Sequence, residues 1–386
     1  MKIPYKNILI TGGAGFVGSN LAVFLKRKHP SLRVIALDNL RRRGSELNIK
    51  RLKQNKVEFV HGDIRNPEDL ELTTKIDLLI ECSAEPSVLA GYGESPEYVI
   101  NSNLVGTLNC LEMARRNKAD IIFLSTSRVY PYNAINNIKT AERETRFEWD
   151  RRQDRHIPGW SKDGIDVDFP LNGPKSMYGA TKLCSEIMLL EYINMYGIRG
   201  VINRCGVIAG PWQFGKVDQG VFTLWMLSHY FKKPLKYIGF GGKGKQVRDL
   251  LHIDDLFDLI ELQLTSIDKI NGEIYNVGGG KDISLSLLEA TRICSDITGN
   301  KIEIKSEPKT RPADVTIFIT DNQKIYNALN WKPKRNSVKI LEDIYLWIKA
   351  NEDMLYTLNL HFLKKQQEYE SLRRKWKNSN SNYEVS

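Results

Sequence analysis

The stretch that decides the fold is ITGGAGFVGSN at residues 10–20, in which Gly12, Gly15 and Gly18 follow one another at intervals of three. The run before it is apolar and predicts a buried strand, and residues 15–28 predict a helix. Gly12 would permit a tight turn, Gly15 a close approach of the backbone to a pyrophosphate, and Gly18 close packing of helix on strand. The N–H groups at the start of the helix would then face the phosphates.

The next strand-like run, Arg33–Asp38, supports a dinucleotide site. Asp38 ends this run, 20 residues after Gly18. A carboxylate at this place can accept hydrogen bonds from the ribose hydroxyls of adenosine. It would repel a 2′-phosphate, which favours NAD over NADP, although the three arginines at 41–43 weaken that preference because arginine can hold the phosphate. The alternative is a tight turn between strand and helix that binds no ligand.

Strand-like and helix-like segments alternate through the first two hundred residues. This alternation predicts an α/β fold, a doubly wound parallel-sheet Rossmann fold with a smaller mixed α/β substrate lobe. The strand-like runs are Asn7–Thr11, Arg33–Asp38, Glu58–Asp63, Asp77–Ser83, Asp120–Thr126, Arg199–Arg204 and, in the lobe, Glu273–Val277. A helix is also expected over Ser102–Arg116.

The same pattern gives the expected domains. We expect an NAD-binding Rossmann domain over residues 1–210 and a substrate-binding lobe over 211–350, partly interleaved with it. Within the first domain, residues 131–174 form a long polar insertion, and segments of this length are usually functional or disordered. Residues 351–386 form a basic C-terminal tail.

The composition is that of an ordinary globular chain. The 386 residues are 41% hydrophobic and 26% charged, which excludes a largely disordered or fibrous protein. No apolar run reaches the roughly 18 residues of a membrane-spanning helix, so we expect a cytoplasmic protein with no integral membrane segment. The net charge of +10 favours an anionic partner, but composition does not choose among nucleic acid, a membrane surface and a phosphorylated small molecule.

Two further motifs supply candidate catalytic residues. Tyr178 and Lys182 are four residues apart, so on a helix they share a face. An ammonium beside a phenol stabilises the phenolate and lowers its pKa from about 10 towards working pH. Thr126 ends the fifth strand-like run, where the carboxyl ends of parallel strands line a ligand crevice. The alternatives are a chance pair on a helix surface and a hydroxyl that caps a loop.

Together the three motifs resemble the extended short-chain dehydrogenase/reductase family of nucleotide-sugar epimerases and dehydratases, over roughly residues 5–350. The resemblance implies a redox-neutral reaction in which NAD stays bound. Tyr178 takes a proton from a sugar hydroxyl while hydride leaves for the nicotinamide, the sugar turns, and the hydride returns to its opposite face. Thr126, Tyr178 and Lys182 match the catalytic trio of the family. The implied cofactor-binding residues are Gly12, Gly15, Phe16, Val17, Gly18, Asp38, Asn39, Asp63, Ile64, Ala84, Asn103, Tyr178 and Lys182.

Details within the resemblance favour some reactions of the family over others. Dehydratases of the family carry an acidic pair after the strand-end threonine, whereas this chain has Ser127-Arg128, which disfavours dehydration. The 4-epimerases more often have an asparagine where this chain has Val207. The segments KVDQG at 216–220 and GKQVRD at 244–249 resemble the CDP-sugar 2-epimerases, which implies inversion at C2 of a CDP-linked hexose of the paratose/tyvelose or glucose type. The implied substrate-binding residues are Ser87, Thr126, Gln219, Arg248 and Arg311.

Several alternatives stay open at this stage. The nucleotide could carry guanine or uracil, and the enzyme could be a C4 epimerase or an NADPH reductase of the same fold. A non-catalytic Rossmann protein that binds RNA or a protein would also suit the basic charge, but it would need no catalytic trio, so we expect no nucleic-acid partner. We expect no metal site, because His252 lacks partners at suitable spacing, and we expect Asp254 to cap the following helix. The resemblance also suggests a homodimer or homotetramer.

Overall fold

The computed structural model describes residues 3–150, 152–153, 156–215 and 219–355. Its strands are β1 Asn7–Thr11, β2 Arg33–Asp38, β3 Glu58–His61, β4 Leu78–Glu81, β5 Asp120–Thr126, β6 Thr140–Glu142, β7 Phe147–Trp149, β8 Trp160–Ser161, β9 Gly164–Ile165, β10 Gly200–Cys205, β11 Val207–Ala209, β12 Leu235–Ile238, β13 Val247–His252, β14 Ile274–Val277, β15 Ser284–Ser286, β16 Ile304–Glu307 and β17 Ile317–Phe318. The seven predicted strands are all present, each within two residues of its expected bounds.

A seven-stranded parallel sheet forms the centre of the larger domain, in the order β3-β2-β1-β4-β5-β10-β14. This confirms the predicted doubly wound Rossmann architecture. In β1, Ile8 and Ile10 belong to the apolar cluster on one face and Leu9 to the cluster on the other. A strand buried on both faces in this way explains the continuous apolar run in the sequence. The winding reverses between β1 and β4, which opens a crevice at their carboxyl ends.

Helices cover both faces of this sheet. Helix α1 (Phe16–Lys28) contacts α2 (Ser45–Gln54) and α8 (Ile253–Ser266) on one face, and α4 (Gly106–Asn117) contacts α6 (Met177–Tyr196) on the other. The helices are α1 Phe16–Lys28, α2 Ser45–Gln54, α3 Glu97–Ile100, α4 Gly106–Asn117, α5 Tyr132–Asn136, α6 Met177–Tyr196, α7 Val221–Tyr230, α8 Ile253–Ser266, α9 Leu287–Thr298, α10 Gln323–Leu329 and α11 Ser337–Ala350.

The helix expected over Ser102–Arg116 differs in its first part. A π-helical segment, Asn101–Val105, separates α3 from α4. The carbonyl oxygen of Asn103 accepts hydrogen bonds from the hydroxyls of Thr107 and Ser185, at 2.8 and 2.9 Å. The segment is thus held by side chains as well as by the backbone, and π-helical turns are frequent at functional sites.

The smaller lobe has its own sheet, in which β13 pairs with β11, β15 and β17. Helices α7, α9 and α11 pack together around a second apolar core that includes Trp225, Leu250 and Trp347. Helix α8 and strand β14, although they follow residue 211, lie with the large sheet. The division at residue 210 therefore stays a prediction.

The polar insertion at 131–174 is folded in its described part. Strands β6 and β7 form one antiparallel hairpin, and β8 and β9 form another. The Arg146 guanidinium donates to the Glu289 carboxylate at 2.7 Å, which ties the first hairpin to α9. Burial of Ile165 and Phe169 beside Phe318 ties the second part of the insertion to the same lobe. The insertion thus packs against the substrate lobe.

Among the described residues no helix is both long enough and apolar enough to cross a membrane. The predicted basic tail lies outside the described residues beyond Leu355. Location in the cytoplasm stays a prediction.

Candidate functional site

The glycine-rich turn joins β1 to α1. Gly12 has a φ of +62°, a left-handed conformation that glycine adopts without strain. A Cβ atom on Gly18 would lie 2.3 Å from the carbonyl oxygen of Gly12, so no larger residue fits there without a backbone shift. Phe16, Val17 and Gly18 form the first turn of α1, whose N–H groups lack partners within the helix. The turn is therefore built to place a helix N-terminus at the mouth of the crevice.

A cavity of about 640 Å³ occupies this crevice. It lies beside the carboxyl ends of β1, β2 and β4, at the point where the winding of the sheet reverses. Seven of the predicted cofactor residues line it, and they are Gly12, Gly15, Asp38, Asn39, Asp63, Ile64 and Ala84. The structure therefore brings most of the predicted cofactor site together.

Asp38 closes the end of the cavity next to β2. Its carboxylate accepts hydrogen bonds from the backbone N–H groups of Ala14 and Leu40, at 3.0 and 2.8 Å. Burial raises the pKa of Asp38, and these backbone donors oppose the rise. The same bonds couple the carboxylate to the glycine-rich turn. Asp38 thus stands where the sequence predicted a ribose ligand.

Asp63 lies after β3 on the wall of this cavity, and neighbouring side chains donate hydrogen bonds to its carboxylate. Burial raises its pKa, but hydrogen bonds from Arg65 and Asn39 outweigh burial and lower the pKa to about 2. The Arg41 guanidinium lies 3.7 Å from the ring centroid of Tyr98, and both side chains line the cavity. Arg41 is thereby positioned at an aromatic face.

The three candidate catalytic residues meet where β5 ends and α6 begins. Ser176 caps α6, because its side-chain oxygen accepts from the backbone N–H of Gly179 at 3.2 Å. Tyr178 is hydrogen-bonded to Thr126, and Lys182 lies one turn further along the helix. The predicted trio is therefore assembled from two separate elements.

The pKa of Tyr178 differs in direction from the sequence-based expectation. Burial raises it, while the Lys182 ammonium and the hydrogen bond from Thr126 lower it, and the net shift is upward. Lys182 acts in the predicted direction, but the desolvation of the phenol is larger. The predicted influence of Lys182 on the pKa of Tyr178 is therefore present, and burial of the phenol outweighs it.

A fourth residue, Glu81, belongs to this cluster and was not predicted from the sequence. It ends β4, and its carboxylate lies 3.3 Å from the Lys182 ammonium, with both side chains almost completely buried. The available signal was an acid within the apolar run 77–83, in which the other charged residue, Asp77, stands at the start. Buried acids are rare unless they are paired.

A second, narrower cavity of about 30 Å³ lies between the end of β5 and the substrate lobe. Arg128, Lys175 and Arg248 bring three cationic side chains to its wall, and Ser127 adds a hydroxyl. The Arg248 guanidinium donates to the Asp314 carboxylate at 2.7 Å. Among the described residues that line this cavity there is no aspartate or glutamate.

The remaining predicted residues take different places. Ser87 and Gln219 line the larger cavity rather than the narrower one, and the Gln219 amide donates to Glu85 at 3.2 Å. Arg311 is half-buried, two residues before Ala313 in the wall of the narrower cavity. Residues 216–218 of the KVDQG segment lie outside the described residues.

Asn103 is completely buried behind the cavity wall. Its side-chain oxygen accepts from the backbone N–H of Glu85 at 2.7 Å, and its amide donates to the hydroxyl of Thr181 at 3.3 Å. Both ends of the side chain are thus engaged with protein atoms. Asn103 thus fixes the loop after β4 against α6, and its role in binding the cofactor stays a prediction.

His252 begins α8. Its side chain accepts from the backbone N–H of Asp254 at 3.0 Å, so the prediction that Asp254 caps this helix is wrong. The physical reason is position, because Asp254 already lies inside the first turn and its own N–H needs the cap. Within the described ranges no three histidine, cysteine or acidic side chains are grouped to hold a metal ion.

Comparison with known proteins gives matches over most of the chain. Residues 8–278 match the NAD dependent epimerase/dehydratase family. The chain is 33% identical to CDP-paratose 2-epimerase from Salmonella typhi, covering 89% of this chain and 99% of that protein. It is 26% identical to dTDP-glucose 4,6-dehydratase from Mycolicibacterium smegmatis, covering 89% and 94%.

A solved structure gives a similar result. UDP-glucuronic acid 4-epimerase from Bacillus cereus, in complex with UDP-glucuronic acid and NAD, matches with a TM-score of 0.73 and 26% identity. The match covers 89% of this chain and 99% of that one. The similarity therefore extends over both lobes.

Proposed function

The chain belongs to the NAD dependent epimerase/dehydratase family, and we propose that it inverts C2 of a hexose linked to CDP. It is an enzyme of the epimerase type, and its cofactor is NAD. The position of inversion and the nucleotide are supported by the identity of 33% to the CDP-paratose 2-epimerase. The proposed substrates are CDP-linked sugars of the paratose/tyvelose or glucose type.

The chemistry at the end of β5 carries the choice of epimerisation over dehydration. Removal of a hydroxyl needs an acid that protonates the leaving oxygen. Thr126 is followed by Ser127 and Arg128, so the two positions directly after the strand end carry no carboxyl group. An arrangement of phenol, hydroxyl and cations suits oxidation and return of hydride at a carbinol carbon.

The larger cavity fits the cofactor. A side chain at Gly18 would collide with the carbonyl of Gly12, so helix and turn pack closely, while Gly15, which lines the cavity, would let the backbone approach a pyrophosphate. The first turn of α1 would face the pyrophosphate, Asp38 the adenosine ribose, and Asp63 with Ile64 the adenine. NAD⁺ held by these residues would supply the hydride acceptor and donor for the sugar carbon. The Asp38 carboxylate would repel a 2′-phosphate, which supports NAD rather than NADP.

Side chains of the protein transfer the proton of the sugar hydroxyl. Tyr178, as phenolate, accepts the proton of the C2 hydroxyl, and its oxygen holds that proton while the sugar is a 2-keto species. Thr126 is hydrogen-bonded to Tyr178 and orients the exchange, and Lys182 stabilises the phenolate. After the sugar turns, Tyr178 gives the proton back, so the acid–base cycle closes without a net change.

Substrate binding must hold the nucleotide firmly and let the sugar turn. Arg248 and Arg311 are the proposed diphosphate ligands, because guanidinium groups bind phosphate oxygens through paired hydrogen bonds. Arg128 and Lys175 add positive charge to the wall of the narrower cavity, which Arg248 also lines. Ser87 and Gln219 are proposed to contact the sugar from the larger cavity.

The proposal is tested by identifying the product. The full chain would be incubated with CDP-paratose, CDP-glucose and UDP-glucuronic acid in parallel, and each product assigned by proton NMR. We expect inversion at C2 of a CDP-sugar and no net oxidation or reduction of cofactor. Inversion at C4 of UDP-glucuronic acid alone, loss of water from the sugar, or net consumption of reduced cofactor would each contradict the proposal.

A further inference from the structure

The carboxylate of Glu81 is the counter-ion of the Lys182 ammonium. Strands β4 and β5 are neighbours, and their register places Glu81 opposite Phe123 at the carboxyl end of the sheet. Lys182 reaches this end from α6, with its nitrogen 3.3 Å from the Glu81 carboxylate and 4.3 Å from the ring centroid of Phe123. The side chains of Lys182 and Glu81 are 2% and 1% exposed. The pair therefore lies in surroundings that contain little water.

Few other charges reach this pair. The thiols that face it are Cys82 directly after β4, Cys110 on α4 and Cys205 on β10, and burial raises the pKa of each, which keeps them neutral. Arg128, after β5, acts on Tyr178 in the same direction as Lys182. Within the described residues, the second oxygen of Glu81 has no hydrogen-bond partner. Burial raises the pKa of Glu81, and the Lys182 ammonium opposes that rise, so Lys182 favours the charged form of Glu81.

This geometry has an electrostatic consequence. Burial disfavours the charged form of an amine, so a buried ammonium without a counter-ion tends to lose its proton. A buried charge that loses its partner is strongly destabilised. Lys182 helps Tyr178 only while it is charged, since its positive charge is what lowers the pKa of the phenol. A group that keeps Lys182 charged therefore acts on Tyr178 indirectly.

We propose that Glu81 is a positioning residue that keeps the Lys182 ammonium charged and directed at Tyr178. The proposal rests on the proposed role of Tyr178 as the base, and it adds a residue to that site. Glu81 does not take the substrate proton itself.

A second buried pair provides a matched control. The Glu186 carboxylate accepts from the Arg204 guanidinium at 2.8 Å and from the hydroxyl of Ser125, so both of its oxygens are engaged in the fold. This pair is as deeply buried as Glu81 and Lys182, with 1% and 3% exposure. Glu186→Gln therefore removes a buried charge of the same kind whose ion-pair partner is Arg204 rather than Lys182.

The test is the titration of Tyr178 in the full chain. Ultraviolet difference spectra between each protein and its Tyr178→Phe counterpart isolate the phenolate of Tyr178. We expect Tyr178 in Glu81→Gln to titrate at a pH about one unit higher than in the wild type, which lowers the phenolate fraction about tenfold at neutral pH. With substrate, kcat should fall by a similar factor while KM changes little. Glu81→Asp, which keeps the charge, should recover part of both losses.

Two results would overturn the proposal. One is a folded Glu81→Gln protein in which Tyr178 titrates at the same or a lower pH. The other is an equal upward shift in Glu186→Gln, which would indicate a general effect of lost packing. If Glu81→Gln does not fold, the shorter Glu81→Asp carries the test, and an unchanged titration and kcat there would count against the proposal. The titration needs no substrate, so a wrong substrate assignment leaves it readable, whereas full turnover by Tyr178→Phe would overturn the proposed function.

Discussion

At the scale of single residues, Tyr178 has opposing influences on its acidity. Burial raises its pKa, and the charge of Lys182 with the bond from Thr126 lowers it. A half-buried phenol beside a cation needs little reorganisation of its surroundings when a substrate hydroxyl binds. In the proposed mechanism the phenol oxygen is therefore essential, whereas other groups bind the ligands.

The first prediction concerns loss of the phenol oxygen of Tyr178. Tyr178→Phe should lower kcat by about 10² to 10⁴-fold, the range for loss of an acid–base group. NAD and nucleotide binding, measured by calorimetry, should be nearly unchanged, because the ring remains. Tyr196→Phe, at an exposed tyrosine on the same helix, is the control and should keep full turnover. Near-normal turnover by Tyr178→Phe would show that another group is the base.

The trio was predictable from sequence, and Glu81 was not, for a physical reason. Tyr178 and Lys182 are related by helical periodicity, which is a local rule. Glu81 reaches Lys182 across 101 positions of the chain through the order of β4, β5 and α6. Asn103 shows the same limit, since the sequence placed it near the cofactor but could not show that Glu85 and Thr181 already engage its side chain.

At the scale of an element, helix α8 has a buried capping residue, and burial determines the protonation state of that residue. Its first turn is capped by the neutral imidazole of His252. Burial lowers the pKa of His252 from its ordinary 6.5 to about 4, although Asp343 opposes the shift. The proton that would charge the ring would also occupy the nitrogen that accepts from Asp254. Protonation therefore removes the cap and leaves a buried cation.

The second prediction concerns the pH dependence of stability. The unfolded chain binds a proton at this histidine below about pH 6.5, and the folded chain only below about pH 4. Stability should thus fall as pH decreases between these values, by on the order of 3 kcal/mol from this group. His252→Asn keeps a capping oxygen but does not titrate. In urea unfolding, the wild type should lose about 3 kcal/mol more than this variant between pH 6.5 and 4. Parallel curves would contradict the assignment.

At the scale of the whole molecule, the alternation of strands and helices predicted the large domain well. The smaller lobe was less predictable, because its sheet joins β11, β13, β15 and β17 from distant parts of the chain. Folding of the insertion at 131–174 also depends on contacts with that lobe, such as the pair between Arg146 and Glu289. Both features arise from long-range packing, which local periodicity does not encode.

The third prediction concerns assembly, which stays a prediction. Helices α4 and α6 lie side by side, and Ile187 and Met195 on α6 are 54% and 65% exposed. Exposed apolar side chains on adjacent helices suit a homodimer. Ile187→Lys should therefore shift the mass in solution, measured by light scattering, from dimer or tetramer towards monomer. Leu346→Lys, at a 57% exposed leucine on α11, should not. A wild-type monomer would contradict the expectation.

In the proposed reaction, hydride leaves C2 of the sugar and returns to it within one site. Running the reaction on a CDP-sugar in D₂O, and examining C2 of the inverted product by proton NMR, tests this step directly. We expect inverted product that carries protium at C2, because the hydride never exchanges with solvent. Deuterium at C2 would contradict it, since that result would mean that the carbon loses a proton to a base and regains one from water.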